Sequence, residues 1–367
     1  MSNQTDSRIA RLRAQLDERG LDALLVSLPS NRRYLSGFTG SAGYLLISES
    51  ETLIATDFRY FEQAGAQSPG FRLQPIAGPA FDSWLPALLS GLGGKEVAFE
   101  AAHLPYATFE QMVAVIRALP EADRPNLAPA HDLVEGLRAI KEPAEIDAIQ
   151  AAVDLGDAAF AHFLDRVRPN WTEKQAAWEI ERYMREHGGE AVSFETIVAA
   201  GPWSAMPHAY PRDVPLEEGR PIVIDMGVRL NGYCSDLTRT IALGEPDGDF
   251  RRIYDIVLGA QLTAVELIEA GMTGEQAHLL AQRFIDEAGY GEAFGHGLGH
   301  GVGLEVHEKP RLGRGSEDVL TDGMVTSVEP GIYLSGWGGV RIEDLAVMEN
   351  GRLRVLSHAP KLDQAEA

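Results

Sequence analysis

The sequence predicts an α/β (α+β) protein of two domains, the second assembled from a duplicated helix-helix-hairpin unit. Three observations point there. Helical and strand patterns alternate up to about residue 135. Beyond it, two capping-box helices recur at an offset of 101 residues. Two hairpin patterns, one turning at Asn231-Gly232 and one at Gly336, carry acidic residues at corresponding places.

In the first domain, Ile9, Leu12 and Leu16 fall at helical spacing within Ser7 to Arg19, and Gly20 ends the run. Leu21 to Leu28 reads as a strand. The Gly-rich turn Ser36 to Gly43, strands over Tyr44 to Ile47 and Thr52 to Ala55, and helices over Ala80 to Leu89 and Tyr106 to Leu119 complete an α/β pattern. Asn31 to Gly40 shows turn chemistry only. Composition shifts to Pro, Ala and charge over Pro120 to Pro129, and a long helical pattern starts near Pro143. The expected domains are therefore 1–135 and 136–367.

In the second domain, Thr172 to Gln175 and Thr273 to Gln276 are capping boxes, in which threonine caps the helix and glutamine reaches back. The match continues with Ala176 on Ala277, Arg182 on Arg283, Glu186 on Glu287 and Gly188 on Gly289. At an offset of 104, Leu216 to Gly227 aligns with Leu320 to Gly331, which sets Asp225 on Glu329. Coincidence between amphipathic helices and buried strands is one explanation of such short matches. Duplication of an α-α-β unit, with halves related by an approximate two-fold axis, is the other.

The 32 basic and 54 acidic residues leave a net charge of −22, which repels nucleic acid and anionic membranes. Neither is expected as a partner. The start MSNQTDSR lacks the apolar core of a signal peptide, and no apolar run approaches the roughly 20 residues that span a bilayer, so a cytoplasmic location is expected. Cys234 is the only cysteine. An internal disulfide and a thiolate metal cluster are excluded, and strand packing is its expected role.

The chemistry starts at the hairpin Pro221 to Thr240. With Asn231-Gly232 as its turn, Leu230 pairs with Tyr233, Asp236 lies opposite Gly227, and Asp225 becomes its diagonal neighbour on the same face. A hairpin centred on Gly336 sets Glu329 opposite Glu343. Four carboxylates meeting in one cavity require cations, and a pair of divalent ions satisfies them. The stretch Gly295 to Glu308, GHGLGHGVGLEVHE, supplies nitrogen. His296 and His300 share strand parity, whereas His307 needs a bend or bulge to join them. The alternating glycines are expected to leave room for a ligand. Oxygen-rich coordination with one imidazole suits Mn2+, with Co2+ or Zn2+ as further candidates. The spacing by itself reaches metal-assisted hydrolysis and no further.

Asp225 in IDMG, Asp236 in SDLTRT, His300 in HGLGH, Glu329 in VEPGIY and Glu343 in VRIED stand in the order and context of the five metal ligands of the pita-bread metallopeptidases. Within that superfamily the chain most resembles the Xaa-Pro peptidases, aminopeptidase P and prolidase, to which SAMPHAYP around His208 and GLEVHE around His307 are also similar. The resemblance implies a creatinase-like amino-terminal domain followed by a pseudo-two-fold duplicated pita-bread catalytic domain. It implies that Asp225 holds one metal in a bidentate manner, that Asp236 and Glu343 bridge two, and that His300 and Glu329 complete the second site. A hydroxide bridging the metals would attack the carbonyl before proline, with Glu329 handling the proton. His208, His296 and His307 would bind substrate and stabilise the tetrahedral intermediate, and Arg341 would orient the carboxylates.

The activity so implied is an Xaa-Pro aminopeptidase acting on peptides with proline at the second position. Xaa-Pro dipeptidase is the alternative. A non-catalytic peptide-binding module of the same fold and a phosphotriester hydrolase are more distant ones. The family also implies a homodimer or higher homo-oligomer.

Overall fold

The computed structural model describes residues 3–362; Met1 and Ser2 of the polar start, and residues 363–367, lie outside that range. The chain divides into two units, Met1–Arg138 and Ala139–Ala367. None of the described helices is long and apolar enough to cross a membrane.

The first unit is built on a six-stranded sheet of β1 (Ala23–Val26), β2 (Tyr44–Ser48), β3 (Thr52–Thr56), β4 (Arg72–Pro75), β5 (Glu96–Glu100) and β6 (Asn126–Ala130), in the order β4-β3-β2-β1-β5-β6. Its helices are α1 (Asn3–Glu18), α2 (Pro29–Ser36), α3 (Phe61–Gln67), α4 (Leu85–Leu88) and α5 (Tyr106–Ala118). Leu25, Leu46, Leu53 and Val97 from the strands pack with Trp84, Leu88 and Met112.

Three expectations need correction here. The strand read over Leu21 to Leu28 is only Ala23–Val26, because Pro29 starts a helix with its fixed φ and Leu28 becomes the cap. Asn31 to Gly40 is largely that helix, closed by Gly37 at φ 79°, rather than a turn. Asn31 is buried and donates to Glu100 and Glu135 while accepting from Arg138. The helix read over Ala80 to Leu89 breaks into the 3-10 turn Phe81–Ser83 and α4, because Pro86 removes a backbone donor.

A short helix, α6 (Leu133–Ala139), precedes the second unit, which repeats one order of elements. α7 (Pro143–Arg166) and α8 (Glu173–Glu186) lead into β7 (Ala191–Val192), β8 (Ile197–Ala200), β9 (Ile222–Met226), β10 (Val228–Leu230), β11 (Tyr233–Cys234) and β12 (Leu237–Ile241). α9 (Gly248–Leu267) and α10 (Gly274–Glu287) lead into β13 (Gly299–Gly301), β14 (Glu308–Leu312), β15 (Val325–Val328), β16 (Gly331–Leu334), β17 (Gly338–Arg341), β18 (Asp344–Glu349) and β19 (Arg352–Val355). Both capping boxes form, Thr172 with Gln175 and Thr273 with Gln276. Each half has its own core, one around Phe160, Ile180 and Ile224, the other around Tyr254, Ala281 and Val328.

The two hairpins have the register that their turns dictate. Asn231 and Gly232 both take positive φ, 50° and 78°, and Leu230 pairs with Tyr233. The same register resumes in β9 and β12, where Asp225 faces Thr238. In the second hairpin Gly331 faces Arg341, and beyond a gap Val328 faces Asp344. Each ladder is interrupted where it passes from one sheet to another. Asp236 falls in the first gap, and Glu329 and Glu343 face each other across the second.

Candidate metal centre

The interruptions free carboxylates from the ladder and aim them at one cavity. It encloses about 420 Å³ and is lined by Asp225, Asp236, His300, Glu329 and Glu343, together with His208, His296, His307 and Arg341. Every site residue singled out in the sequence therefore reaches one space. Ligand atoms of Asp236, His300 and Glu343 lie within 4.8 Å of one another. His300 Nε2 stands 3.3 Å from Glu329 Oε1 and 3.6 Å from Asp236 Oδ2.

Four of the five groups, His300, Glu329, Glu343 and Asp225, are held from behind. Ser327 Oγ accepts from the His300 amide at 3.0 Å and donates to Glu329 Oε1 at 3.2 Å, so one hydroxyl sets two neighbours. Thr238 donates to Glu343 Oε2 at 2.7 Å. Arg239, completely enclosed, donates to the Glu343 carbonyl, to Asp344 Oδ1 and to the Ala359 carbonyl, which ties the Glu343 backbone to the chain beyond β19. Arg341 donates to Asp225 Oδ2 at 2.6 Å, to the Tyr333 hydroxyl at 2.8 Å and to Thr238 Oγ1 at 3.1 Å.

The hydrogen bonds also assign tautomers. His300 Nδ1 donates to the Gly301 carbonyl at 3.1 Å, which turns Nε2 toward the carboxylates; in the metal-free cavity Nε2 donates a proton to Glu329, and a bound ion would take the place of that proton. His296 Nδ1 likewise donates to the Gly297 carbonyl at 2.7 Å, and its Nε2 accepts from the Tyr333 hydroxyl at 2.9 Å. His307 lies in the irregular segment before β14, its ring 4.3 Å from that of His300. The register shift between His300 and Gly301 supplies the bulge its parity required.

The glycines of GHGLGHGVG serve a second purpose beside the one expected. A Cβ at Gly299 would stand 2.0 Å from the Ser327 carbonyl oxygen, and one at Gly301 2.0 Å from that of Lys309. They allow strands to approach, while Gly297 and Gly299 also line the cavity as expected.

Electrostatics test whether a cation fits. Burial raises the pKa of Asp225, and of Asp236 and Glu343 far more, with neighbouring carboxylates adding to the latter two. Burial also opposes charge on Glu329 and His300. Their mutual hydrogen bond prevails and sets Glu329 at about 2 and His300 at about 9. Burial, with Arg341 and His300 respectively, lowers the pKa of His296 and His307. Asp225 Oδ1 and Glu343 Oε1 are buried and meet no hydrogen-bond donor among the described residues. Two orphaned carboxylate oxygens beside an imidazole nitrogen that can exchange its proton for a cation form an oxygen-rich donor set that a hard or borderline divalent ion satisfies.

Two residues escaped the sequence reading. Tyr333 links Arg341 to His296, and burial raises its pKa to about 12, so it remains a neutral donor. Arg311 on β14 lines the cavity, and its Nη2 donates to the Arg314 carbonyl at 3.4 Å. The signal for Tyr333 was its place one strand step from Gly331 in the hairpin that presents Glu329. Arg311 had none beyond following His307 and Glu308.

Comparison with known proteins agrees with this geometry. Residues 147–350 match the model of metallopeptidase family M24, and residues 8–140 match the creatinase/prolidase N-terminal domain. The solved Xaa-Pro dipeptidase from Bacillus anthracis superposes with a TM-score of 0.92 at 42% identity, covering 97% of this chain and 98% of that one. The Xaa-Pro dipeptidase of Pyrococcus furiosus is 35% identical over 350 residues, 95% of this chain and 97% of its own length. The X-Pro aminopeptidase from Thermotoga maritima superposes with a TM-score of 0.86 at 36% identity, covering 96% and 98%. With its carboxylates and histidine gathered in one cavity, the chain belongs to metallopeptidase family M24, carrying a creatinase/prolidase-type amino-terminal domain and the pita-bread fold.

Proposed function

We propose that the chain is an Xaa-Pro dipeptidase that uses two divalent ions, Mn2+ foremost, with Co2+ or Zn2+ as substitutes. The observation that carries the hydrolase reading is the convergence of Asp225, Asp236, His300, Glu329 and Glu343 on one cavity. When bound, such ions lower the pKa of water to make a nucleophile at neutral pH and polarise the scissile carbonyl.

The protein's own groups do the rest. Glu329 would accept the proton of the attacking water and deliver it to the departing proline nitrogen. Arg341 holds Asp225 in place. Tyr333 fixes His296, while His208 and His307 face the substrate space. Phe194, Ile197 and Pro207 give one wall an apolar surface suited to a proline ring.

The sequence alone favoured aminopeptidase, and two features support the dipeptidase instead. The relatives from Bacillus anthracis and Pyrococcus furiosus bear that name. Arg311 also offers a guanidinium to the terminal carboxylate that a dipeptide must present close to its scissile bond. The Thermotoga maritima relative keeps Xaa-Pro aminopeptidase as the second reading. Assaying Mn2+-loaded protein on an Xaa-Pro dipeptide, its C-terminal amide and an Xaa-Pro-Yaa tripeptide separates them. We expect the free dipeptide to be cleaved best and Arg311→Met to raise its KM by about tenfold or more, the loss typical of a charge-assisted contact. Preference for the tripeptide reverses the assignment.

A further inference from the structure

His208 and Tyr210 line the cavity from the loop of residues 201–211, which contains no strand and only the 3-10 turn Gly201–Ala205. Loops hold side chains loosely unless tied. This one is tied at both ends by one carboxylate remote from the metal centre.

Glu173 opens α8 and is completely buried. Its Oε1 accepts from the Ala200 amide at 2.9 Å, where the chain enters the loop. Its Oε2 accepts from the Arg212 amide at 2.7 Å, where the chain leaves. The Arg212 side chain returns to the same carboxylate, Nε to Oε2 at 3.0 Å and Nη2 to Oε1 at 2.7 Å, as a two-bond fork. The first turn of α8 adds its own free amides, Glu173 N to the Val214 carbonyl and Lys174 N to that of Arg212.

The tie continues along the loop. The Arg212 guanidinium lies 4.5 Å above the Trp203 ring, and Trp203 Nε1 donates to the Tyr210 carbonyl at 3.0 Å. On the cavity side, Arg341 Nη1 donates to the Pro207 carbonyl at 3.3 Å. His208 and Ala209 are thus suspended between two anchored carbonyls. Glu173 is buried while the Arg212 side chain is about a third exposed; an ion pair of this kind adds little net stability, and its best-attested use is to select one geometry.

The geometry points to Glu173, Arg212 and Trp203 as a clamp of positioning residues that sets the His208–Tyr210 wall against the substrate, independently of the metal ions. The substrate side of this inference rests on the Xaa-Pro peptidase reading above. The clamp is expected to act on KM and to leave metal affinity alone.

Trp203→Leu and Arg212→Met are the test variants, with Arg212→Lys as the conservative control that keeps charge but loses the fork. Steady-state kinetics on an Xaa-Pro dipeptide, Mn2+ affinity by calorimetry, and amide hydrogen exchange are measured on each full-length protein. We expect KM to rise by about tenfold or more in Trp203→Leu and Arg212→Met, as for a misplaced substrate-facing group, with partial rescue in Arg212→Lys. Mn2+ affinity should stay within about twofold of the parent, and exchange should accelerate at Ala200 and Ala209, whose amides are bonded to Glu173 and to the Met206 carbonyl. Unchanged KM and unchanged exchange in folded Trp203→Leu overturn the clamp, as does a fall in Mn2+ affinity that tracks the loss of activity. If the parent cleaves no Xaa-Pro substrate, the functional reading fails; the exchange measurement then decides the clamp by itself, because it needs no substrate.

Discussion

Replacing Arg341 by methionine isolates the charge balance of the cavity. In the metal-free protein Arg341 is the cation bonded to Asp225, which burial already pushes toward protonation beside Glu329. Removing one partner of such a buried pair costs about 3–5 kcal/mol. For a unit of this size that lowers Tm by roughly 6–20 °C. On the proposed ligand set, divalent ions would restore the countercharge for Asp225. The remaining loss is the bonds to Tyr333, Thr238 and Pro207, at about 1 kcal/mol each where buried acceptors are not rehydrated. The deficit of Arg341→Met should therefore shrink, by up to about 2 kcal/mol, when Mn2+ is added to saturation. Scanning calorimetry of parent and variant, each with and without Mn2+, reads that difference. An equal deficit in both states refutes the placement of Asp225 in the cation site.

Asp236→Ala should abolish turnover and retain the fold, because Asp236 sits in the gap between two ladders and pairs in neither; a full rate with full Mn2+ occupancy contradicts its role as a ligand. Arg239→Met strips donors from the Glu343 and Ala359 carbonyls and should cost about 3–5 kcal/mol in urea unfolding while weakening Mn2+ binding. Unaltered Mn2+ affinity would mean that Thr238 suffices to hold Glu343. His278 is fully buried and neither ring nitrogen finds a hydrogen-bond partner among the described residues; burial, with Arg314 and His296 adding, lowers its pKa to about 4. The unfolded chain then takes up a proton that the native state refuses. Stability should fall as pH drops from about 6.5 to about 4, by at most about 3 kcal/mol from this group. In the metal-free protein, the pH dependence of unfolding should be shallower across that window in His278→Leu than in the parent.

Much of the architecture is legible in the sequence because it depends on short-range rules. Asn231-Gly232 selects a two-residue turn, and the turn determines that Leu230 meets Tyr233 and Thr238 meets Asp225. Thr172 with Gln175 and Thr273 with Gln276 mark two helix starts through bonds only three residues long. The carboxylates at Asp225, Asp236, Glu329 and Glu343 follow from those registers. What escaped the reading are features whose cause lies in distant partners. α2 was missed because the polar residues at its centre, Asn31 and Arg32, are satisfied by groups such as Glu100 and the Gly43 carbonyl, which no local pattern reveals.

The sequence by itself determined the two hairpins, the repeated helix pair and the residue types of a divalent-ion site, since each is written in neighbouring residues. Only the tertiary structure decided that the halves meet at one cavity. It also showed that the glycines of GHGLGHGVG serve strand packing as well as the cavity, and it gave Arg341, Tyr333 and the Glu173–Arg212 pair their partners. The physical reason is range. A turn or a cap is settled within a few residues, whereas a buried charge is settled by whatever the rest of the chain brings within about 3 Å of it, the span of a hydrogen bond.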